Sequence, residues 1–532
     1  MSDLVPIKRA LISVSDKRDL IPFARRLVDH GVAIISTGGT ARALQEADID
    51  VTPIDQVTEF PEMMDGRVKT LHPRIHGGLL ALRDNDTHVK SMTDHGIEPI
   101  DLVCVNLYPF EKTVADPDVE TAEAIEQIDI GGPSMVRSAA KNHNFVAIVT
   151  SPSQYDKVAN EIEANDGCTT LRLRRRLAAA AFTRTAVYDT AISQWMNQRL
   201  GRGEPTDLFP TSMPIRLNRR SVLRYGENPH QLGAVYSDPG STEPSVTTAK
   251  QLHGKELSFN NLYDANGALE LVKEVAPADH AAAAVIKHAN PCGFAIADDL
   301  ATAFAGAYSG DPLAAFGGIV AMNRTVDAAT ATAIADGQKF LEVIIAPAYD
   351  DDALSILSDR WKNVRILATG DLPAPADRDD EEFEYKRITG GLLIQQRDLA
   401  SMKPGEWEHA AGPAPSDDLL TQMGVAMIVV KHLKSNAVCL VRDNTLVGAG
   451  AGQMDRLASC NIAITKAADR ADGSIAGSDA FFPFRDGPDK LIAAGVKGIV
   501  QPGGSKRDDE TKQACNDANV SLVFTGRRHF RH

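Results

Sequence analysis

Short apolar runs alternate with amphipathic stretches through the first 150 residues. Ala10–Ser13, Val32–Ser36, Leu102–Leu107 and Phe145–Thr150 are strand-length apolar runs. Lys17–Asp29 and Thr40–Ala47 follow the first two with the period of a helix. This alternation predicts a parallel sheet with crossover helices over residues 9–150. Cys168–Leu200 is rich in Ala and Arg and reads as one long helix, with the four Arg of Arg172–Arg176 on a solvated face. Residues 201–220, rich in Gly, Pro and Arg and without periodicity, predict a linker between a first domain at 1–200 and a second at 221–532. The second half mixes apolar strands with Ala-rich helices. Its clearest strand is Ala281–Ile286, stopped by Asn290-Pro291 and Gly293, because the residue before proline is pushed out of the helical region. Asp371–Glu384 and Gly405–Asp418, acidic or proline-rich, read as exposed connections dividing this half into two lobes. No internal repeat is visible along the chain.

Composition narrows the class. The chain has 532 residues, 43% hydrophobic and 24% charged, the balance of an ordinary globular protein with several cores. A net charge of −15 argues against nucleic acid as a partner, because that binding rests on Lys and Arg neutralising phosphates. Small anionic ligands remain open, since they need only a local basic pocket. The six Cys contain no Cys-x-x-Cys pair and Met1–Ala10 does not read as a targeting peptide, which predicts free thiols in a reducing cytoplasm. No apolar run approaches the roughly 18 residues of a membrane span, so no membrane partner is expected.

Candidate chemistry appears in two places. Lys287 and His288 stand at the end of the buried run, where burial shifts pKa values and function is the usual reason to keep titratable groups. A snorkelling Lys and a His satisfied by a carbonyl fit the pair equally well. In the first half, Ser13-Val-Ser-Asp-Lys17 and Thr37-Gly-Gly-Thr40 each leave a strand and open a helix, with Ser15 as an N-cap. Helix N-termini bind anions, and ligands sit at the carboxyl ends of strands in open α/β sheets.

Gly66-Arg-Val-Lys-Thr-Leu-His-Pro73, Asn106-Leu-Tyr-Pro109, Gln127-Ile-Asp-Ile-Gly-Gly132 and Ala139-Ala-Lys-Asn-His143 follow in order. From Ser13 to about Tyr188 the set resembles the inosine monophosphate cyclohydrolase domain of the bifunctional purine-biosynthesis enzymes, whose core is methylglyoxal-synthase-like. That resemblance implies that Ser15, Asp16, Lys17, Thr37, Gly38, Gly39, Thr40, Arg67, Val68 and Thr70 hold the nucleotide phosphate and its surroundings. Val105, Asn106 and Ile130 complete the substrate site, and Lys69, Tyr108, Asp129 and Lys141 surround the closing ring. Amides near Lys69–Thr70 and Asp129–Ile130 are expected to hold an oxyanion. Lys141 is the expected proton-transfer group, with Asp129 nearby. Which group gives the proton and which takes it stays open.

Arg224-Tyr-Gly-Glu-Asn-Pro-His-Gln231, Lys287-His288, Phe316-Gly-Gly318, Lys434-Ser-Asn-Ala-Val438 and Arg527-Arg-His-Phe530 are similar to the formyltransferase domain of the same family. By that resemblance the second half has two cytidine-deaminase-like lobes and moves a formyl group from 10-formyl-tetrahydrofolate to 5-aminoimidazole-4-carboxamide ribonucleotide. His288 is then the proton acceptor, Lys287 the cation that tunes it, and Asn436 an oxyanion donor. Arg224, Tyr225 and Arg528 take the phosphate, while Asn261, Gly317, Glu342 and Phe481 contact the substrate. Arg456, Leu457, Asp486, Ser505 and Lys506 fall on the folate side. The resemblance also implies a homodimer. Zinc is not expected: Asn290-Pro-Cys-Gly293 is similar to a deaminase motif, but Ala295 stands where a second Cys belongs. The other reading is a formyltransferase whose first half is a nucleotide-binding regulatory module. Lys69, Tyr108, Asp129 and Lys141 argue against it, since a phosphate sensor does not need them.

Overall fold

The computed structural model describes residues 3–61, 63–116, 118–200, 208–378, 383–400 and 402–532. Residues 201–207 of the expected linker and 379–382 of the first acidic connection lie outside them. The chain divides into two compact units, Met1–Arg216 and Leu217–His532. A strand at Asn218–Leu223 takes in the last three residues of the stretch read as a linker.

In the first unit, the described residues form a five-stranded parallel sheet from β1 (Arg9–Val14), β2 (Ala33–Ser36), β3 (Thr52–Pro53), β4 (Leu102–Asn106) and β5 (Ala147–Val149). The strand order is β3-β2-β1-β4-β5, with Leu11 paired to both Ile35 and Val103. Ala10, Leu11 and Ile12 are all completely buried. Both faces of β1 are covered, so its sequence runs apolar instead of alternating. Helix α1 (Leu20–Asp29) starts three residues later than expected, and Ser15 is not its cap. The Ser15 hydroxyl instead donates to the Leu107 carbonyl at 2.9 Å. Helix α2 (Gly38–Gln45) begins two residues early, and α3 (Gly131–Lys141) and α4 (Leu171–Arg199) complete the frame.

One reading of α4 is corrected. Arg174 is completely buried, not part of a solvated face. Its guanidinium donates to the carbonyls of His143 at 2.9 Å, Asn144 at 3.2 Å and Thr169. Burial pulls its pKa below the arginine range. A buried charge is tolerated only when its donors are satisfied, and these carbonyls satisfy them.

The second unit is built on one twelve-stranded sheet. Its first half holds β6 (Lys250–His253), β7 (Ala281–Lys287), β8 (Asn290–Ala297), β9 (Gly318–Met322), β10 (Leu341–Ala346) and β11 (Arg365–Ala368), with helices α5 (Phe259–Val272) and α6 (Leu300–Gly310). Its second half holds β12 (Glu408–Ala411), helix α7 (Asp417–His432), β13 (Val438–Arg442), β14 (Thr445–Gly450), helix α8 (Arg456–Ala467), β15 (Ile475–Ser478), β16 (Gly498–Gln501) and β17 (Ser521–Phe524). Strand order runs β6-β11-β10-β9-β7-β8-β14-β13-β15-β16-β17-β12, the same list read inward from each edge.

This is an internal duplication, as two lobes of one fold imply, although no repeat is visible in the sequence. β7 is antiparallel to β8 and β9, and β13 is antiparallel to β14 and β15. The Gly317 amide donates to the Phe340 carbonyl at 2.7 Å, and the Gly473 amide to the Gly495 carbonyl at 2.8 Å. A Cβ on Gly293 would overlap the Ala307 carbonyl oxygen, and one on Gly448 would overlap that of Ala463. Glycine at each place lets the helix lie against its strand. The halves meet where Ala295 of β8 pairs with Thr445 of β14.

Three expectations change here. Gly405–Asp418 is not merely a connection, because it contains the edge strand β12. In Asp371–Glu384, Arg378 is buried and ion-paired to Glu243 and Glu270. Asn290-Pro291 does not stop the apolar strand: β7 ends at Lys287, the turn is His288–Ala289, and Asn290 already belongs to β8.

Candidate active sites

The first unit has a cavity of about 560 Å³ at the carboxyl ends of its parallel strands. Ser15, Lys17, Thr37, Gly38, Gly39, Thr40, Arg67, Lys69, Thr70, Val105, Asn106, Tyr108, Asp129 and Ile130 line it together. The loops are built by hydrogen bonds across the sheet. Asn106 Oδ1 accepts from the amides of Ser15 at 2.7 Å and Asp16 at 2.9 Å, and Asn106 Nδ2 donates to the Asp16 carbonyl at 2.9 Å. The hydroxyls of Ser13 and Thr37 are 2.6 Å apart, and Thr40 Oγ1 lies 3.0 Å from both the amide and the carbonyl of Val14. Ser15–Lys17 and the N-terminus of α2 are thereby held side by side; Asn106 takes the Ser15 and Asp16 amides and the Thr37 carbonyl takes that of Thr40, which leaves the Lys17, Gly38 and Gly39 amides to face an anion.

Opposite them lies the N-terminus of α3. Asp129 Oδ1 accepts from the Gly132 amide at 2.8 Å, and the Asp129 amide donates to Tyr188 Oη at 2.9 Å. Burial holds the Asp129 carboxyl above its ordinary pKa, opposed by hydrogen bonds from Gly132 and Tyr108 amides. Tyr108 is raised by burial and then by the charges of Asp129 and Glu126. Lys69 Nζ lies close to Gly38, 3.4 Å from where a Cβ there would stand. The same construction at Gly131 meets Thr70 Oγ1 at 2.5 Å, and at Gly132 it overlaps the Asp129 carboxylate. These two glycines let both groups pack against the helix start.

Asp16, Val68 and Lys141 are not among the lining residues. Asp16 turns to Arg18, whose hydrogen bonds lower its pKa. Lys141 is exposed at the last residue of α3, ten residues and about 15 Å of helix from its start. Arg67 is ion-paired to Glu126, a cavity residue the sequence reading missed.

In the second unit the strand ends between Lys287 and His288, so the two side chains do not simply alternate. His288 and Ala289 both adopt left-handed conformations, with φ of 53° and 59°. Two such central residues make the tight hairpin turn whose twist matches its strands. Lys287 Nζ donates to the carbonyls of Phe316 at 3.3 Å and Gly317 at 3.0 Å. The Lys434 amide donates to Asn290 Oδ1 at 3.2 Å, which ties the hairpin to the segment carrying Asn436. Asn436 Nδ2 donates to the Gln453 carbonyl at 2.9 Å, and its Oδ1 accepts from Arg456 Nη2 at 2.9 Å. Arg456 is buried and paired with Asp479, which is completely buried. The Asp479 carboxylate also accepts from Ser435 Oγ at 2.6 Å, and Ser435 Oγ accepts from the Arg531 amide at 3.0 Å.

The other sequence candidates are more dispersed. Arg224 lies over the Tyr225 ring at 4.9 Å, and Arg528 over that of Phe530 at 4.3 Å. Asn261 caps α5 with Ser258, and Glu342 is ion-paired to Arg365. Phe481, Asp486 and Lys506 are exposed, whereas Leu457 and Ser505 are half-buried. Cys292 donates to the Val285 carbonyl, and burial pushes its thiol up to about 12. Asp264 and Asp479 were not among the sequence candidates, and Ser435 entered only inside a quoted motif; no local sequence signal marks Asp264 within its helix.

A parallel-sheet unit with an anion-type cavity, followed by a duplicated mixed-sheet unit, is the build of a two-site α/β enzyme. Comparison with known proteins places it more closely. A family model described as AICARFT/IMPCHase bienzyme matches residues 139–466, and an MGS-like domain matches residues 19–134. The protein of Magnetococcus marinus named Bifunctional purine biosynthesis protein PurH is 50% identical, covering 99% of this chain and 100% of its own. Proteins of the same name from Rhodopirellula baltica and Oceanobacillus iheyensis are 49% and 47% identical, covering 100% and 99% of this chain and all of their own. A solved structure titled Crystal structure of ForH is 35% identical, covers 35% of this chain and 98% of its own, and has a TM-score of 0.33. The chain belongs to the AICARFT/IMPCHase bienzyme family. It transfers a formyl group from 10-formyl-tetrahydrofolate to 5-aminoimidazole-4-carboxamide ribonucleotide and closes the product to inosine monophosphate. Among the described residues, no helix is long and apolar enough to cross a membrane.

Proposed function

We propose that ring closure occurs in the cavity of the first unit and formyl transfer at the His288 turn of the second. The observation that carries the first assignment is that Lys69, Tyr108 and Asp129 share a cavity with both anion-type loops. The phosphate sits on the amides of Lys17, Gly38 and Gly39, with the Ser15 and Thr40 loops around it. The carboxamide nitrogen attacks the formyl carbon, a C–N bond forms, and the formyl oxygen leaves as water. The reactants are already tethered, so the entropy of encounter is prepaid. Asp129, with its pKa raised by burial, is a stronger base than an exposed carboxylate and takes the nitrogen's proton. Lys69 polarises the formyl oxygen.

In the second unit the substrate amine attacks the formyl carbon of the folate. Its proton passes to His288, and the folate nitrogen leaves protonated. Lys287 and Asn436 stabilise the intermediate oxyanion. Arg224, Tyr225 and Arg528 hold the phosphate, with Asn261, Gly317, Glu342 and Phe481 around the base and ribose. Asp486, Ser505, Lys506 and Leu457 meet the folate, while Arg456, committed to Asp479, acts from behind by fixing Asn436.

A homodimer accounts for two further features. Met454 and Leu232 are essentially fully exposed beside candidate site segments, as residues buried by a partner would be. Lys141, exposed and remote from the cavity of its own unit, is on this reading assigned to the cavity of a partner. Sedimentation at micromolar concentration is expected to give a dimer. Mixing inactive Lys141→Ala and Lys69→Ala proteins then restores part of the closure activity, and no recovery refutes the shared site.

The main assignment is tested by separating the reactions. His288→Ala abolishes formyl transfer and leaves closure of supplied formylated nucleotide intact; Lys69→Ala does the reverse. Either change removing both activities from folded protein contradicts the division.

A further inference from the structure

The duplication supplies an internal control for the catalytic turn. In the second half the hairpin β13–β14 turns at Asp443–Asn444, with φ of 52° and 57°, the same left-handed pair as His288–Ala289. The residue after each turn closes it in the same way. Asn290 Nδ2 donates to the His288 carbonyl at 3.1 Å, and Thr445 Oγ1 to the Asp443 carbonyl at 3.4 Å. Behind each turn stands the sixth residue of a helix: Asp264 of α5 and Gln422 of α7. Gln422 Oε1 accepts from the Asp443 amide at 3.0 Å. Asp264 takes two amides, His288 at 3.2 Å through Oδ2 and Ala289 at 2.7 Å through Oδ1.

The difference matches what each turn needs. Asp and Asn visit the left-handed region readily, whereas alanine has no side chain to compensate and loses roughly 1–2 kcal/mol there. A side-chain amide offers one acceptor oxygen; a carboxylate offers two and binds each N–H more strongly. The scaffold is therefore served by a neutral acceptor in one half and reinforced by a charged, two-pronged one in the other.

We propose that Asp264 is a positioning residue for formyl transfer. It clamps His288 and Ala289 in the left-handed turn and so presents the His288 imidazole at the hairpin tip. This rests on the reading of His288 as the proton acceptor.

Asp264→Asn removes one prong. The expected result is a fall in kcat for formyl transfer of roughly ten- to a hundredfold, the scale of one charge-assisted hydrogen bond. KM for both substrates stays within about twofold and ring closure is unaffected, because only the reacting group is misplaced. Adding Ala289→Gly, which adopts the turn without strain, restores most of the lost kcat. Asp264→Gln copies the residue the second half carries and serves if the Asn variant folds poorly. A kcat per folded molecule within twofold of wild type, or a loss that Ala289→Gly does not relieve, overturns the proposal. His288→Ala is measured alongside: if it retains transfer, the underlying reading of His288 fails. If it abolishes transfer while the Asp264 variants stay active, only this inference fails.

Discussion

Asp479 offers a test in which stability and chemistry separate. Its carboxylate is completely buried, ion-paired to Arg456 at 2.5 Å and hydrogen-bonded to Ser435 at 2.6 Å. Asp479→Asn keeps the shape and removes the charge. That leaves Arg456 as an uncompensated buried cation, which costs about 3–5 kcal/mol. Against a typical stability of roughly 5–15 kcal/mol, melting of the second unit should fall by about 5–15 °C. Formyl transfer should fall further than the loss of folded protein explains, because Arg456 Nη2 is what holds the Asn436 carbonyl oxygen. Scanning calorimetry and transfer kinetics, with ring closure as the internal control, measure both. The double variant Arg456→Met with Asp479→Leu separates the effects. Replacing a buried pair by apolar residues is often neutral, so melting should recover while transfer stays low. A single variant that melts and transfers like wild type, or a double variant that regains full transfer, would refute the idea that the pair positions Asn436.

Other expectations concern the first unit and the thiols. Gly132→Ala drives a Cβ into the Asp129 carboxylate; closure should fall at least tenfold with transfer unchanged, read by separate assays on supplied intermediates. Because burial raises the folded pKa of Asp129, the native state binds a proton that the unfolded chain releases at its ordinary carboxylate pKa. Asp129 therefore weakens stability as pH rises through and above that range. Asp129→Asn should melt increasingly above wild type from about pH 4 until the pH passes the raised folded pKa, with a constant difference beyond it, while losing closure; parallel melting curves throughout would count against this. The thiols of Cys104, Cys460 and Cys515 are buried and pushed up to about 12. At pH 8 they should resist a thiol reagent until the protein unfolds, as mass-mapped labelling would show.

The parallel sheet was legible because β1, β2, β4 and β5 are buried and carry unbroken apolar runs. Ser15, Lys17, Thr37–Thr40 and Asn106 were legible because they stand at the ends of such strands, whereas Arg67, Lys69, Thr70, Asp129 and Ile130 lie between helices and were read only from the family motifs. What failed did so for long-range reasons. Ser15 has the composition of a helix cap, but Asn106 and Leu107, some ninety residues away in sequence, claim it. The arginines of α4 have the spacing of a surface face, and only the carbonyls of His143, Asn144 and Thr169 decide that Arg174 turns inward. At β7 the Asn-Pro signal outweighed His-Ala, which is not a turn pair by composition and forms one only against Asp264. The two lobes leave no repeat visible in the sequence because their strands share a pattern instead of residues. Its trace is in paired glycines: Gly293 with Gly448, where backbone approach permits nothing larger, and Gly317 with Gly473, whose left-handed φ of 68° and 74° disfavours a side chain.

Once the halves are aligned, their differences locate the chemistry. Asn323 and Asp479 occupy the same buried place: the Asn323 amide donates to the Ala282 carbonyl at 3.2 Å and the Asp479 amide to that of Ala437 at 3.3 Å. Asn323 is neutral, and its side chain serves only backbone, donating to Val275 and His280 carbonyls and accepting from the Ala282 amide. Asp479 is charged and reaches Asn436 through Arg456. The relation is reversed at the helix position, where the first half has Asp264 and the second Gln422. Each half thus carries a carboxylate where its twin carries an amide: Asp264 holds the His288 turn directly, and Asp479 holds Asn436 through Arg456. The twin folds with an amide at each place, and at Asn323 no buried cation among the described residues faces that amide as Arg456 faces Asp479. If the charges serve the proposed chemistry and not the fold, a chain carrying Asp264→Gln together with Arg456→Met and Asp479→Leu should fold, close the ring and transfer no formyl group.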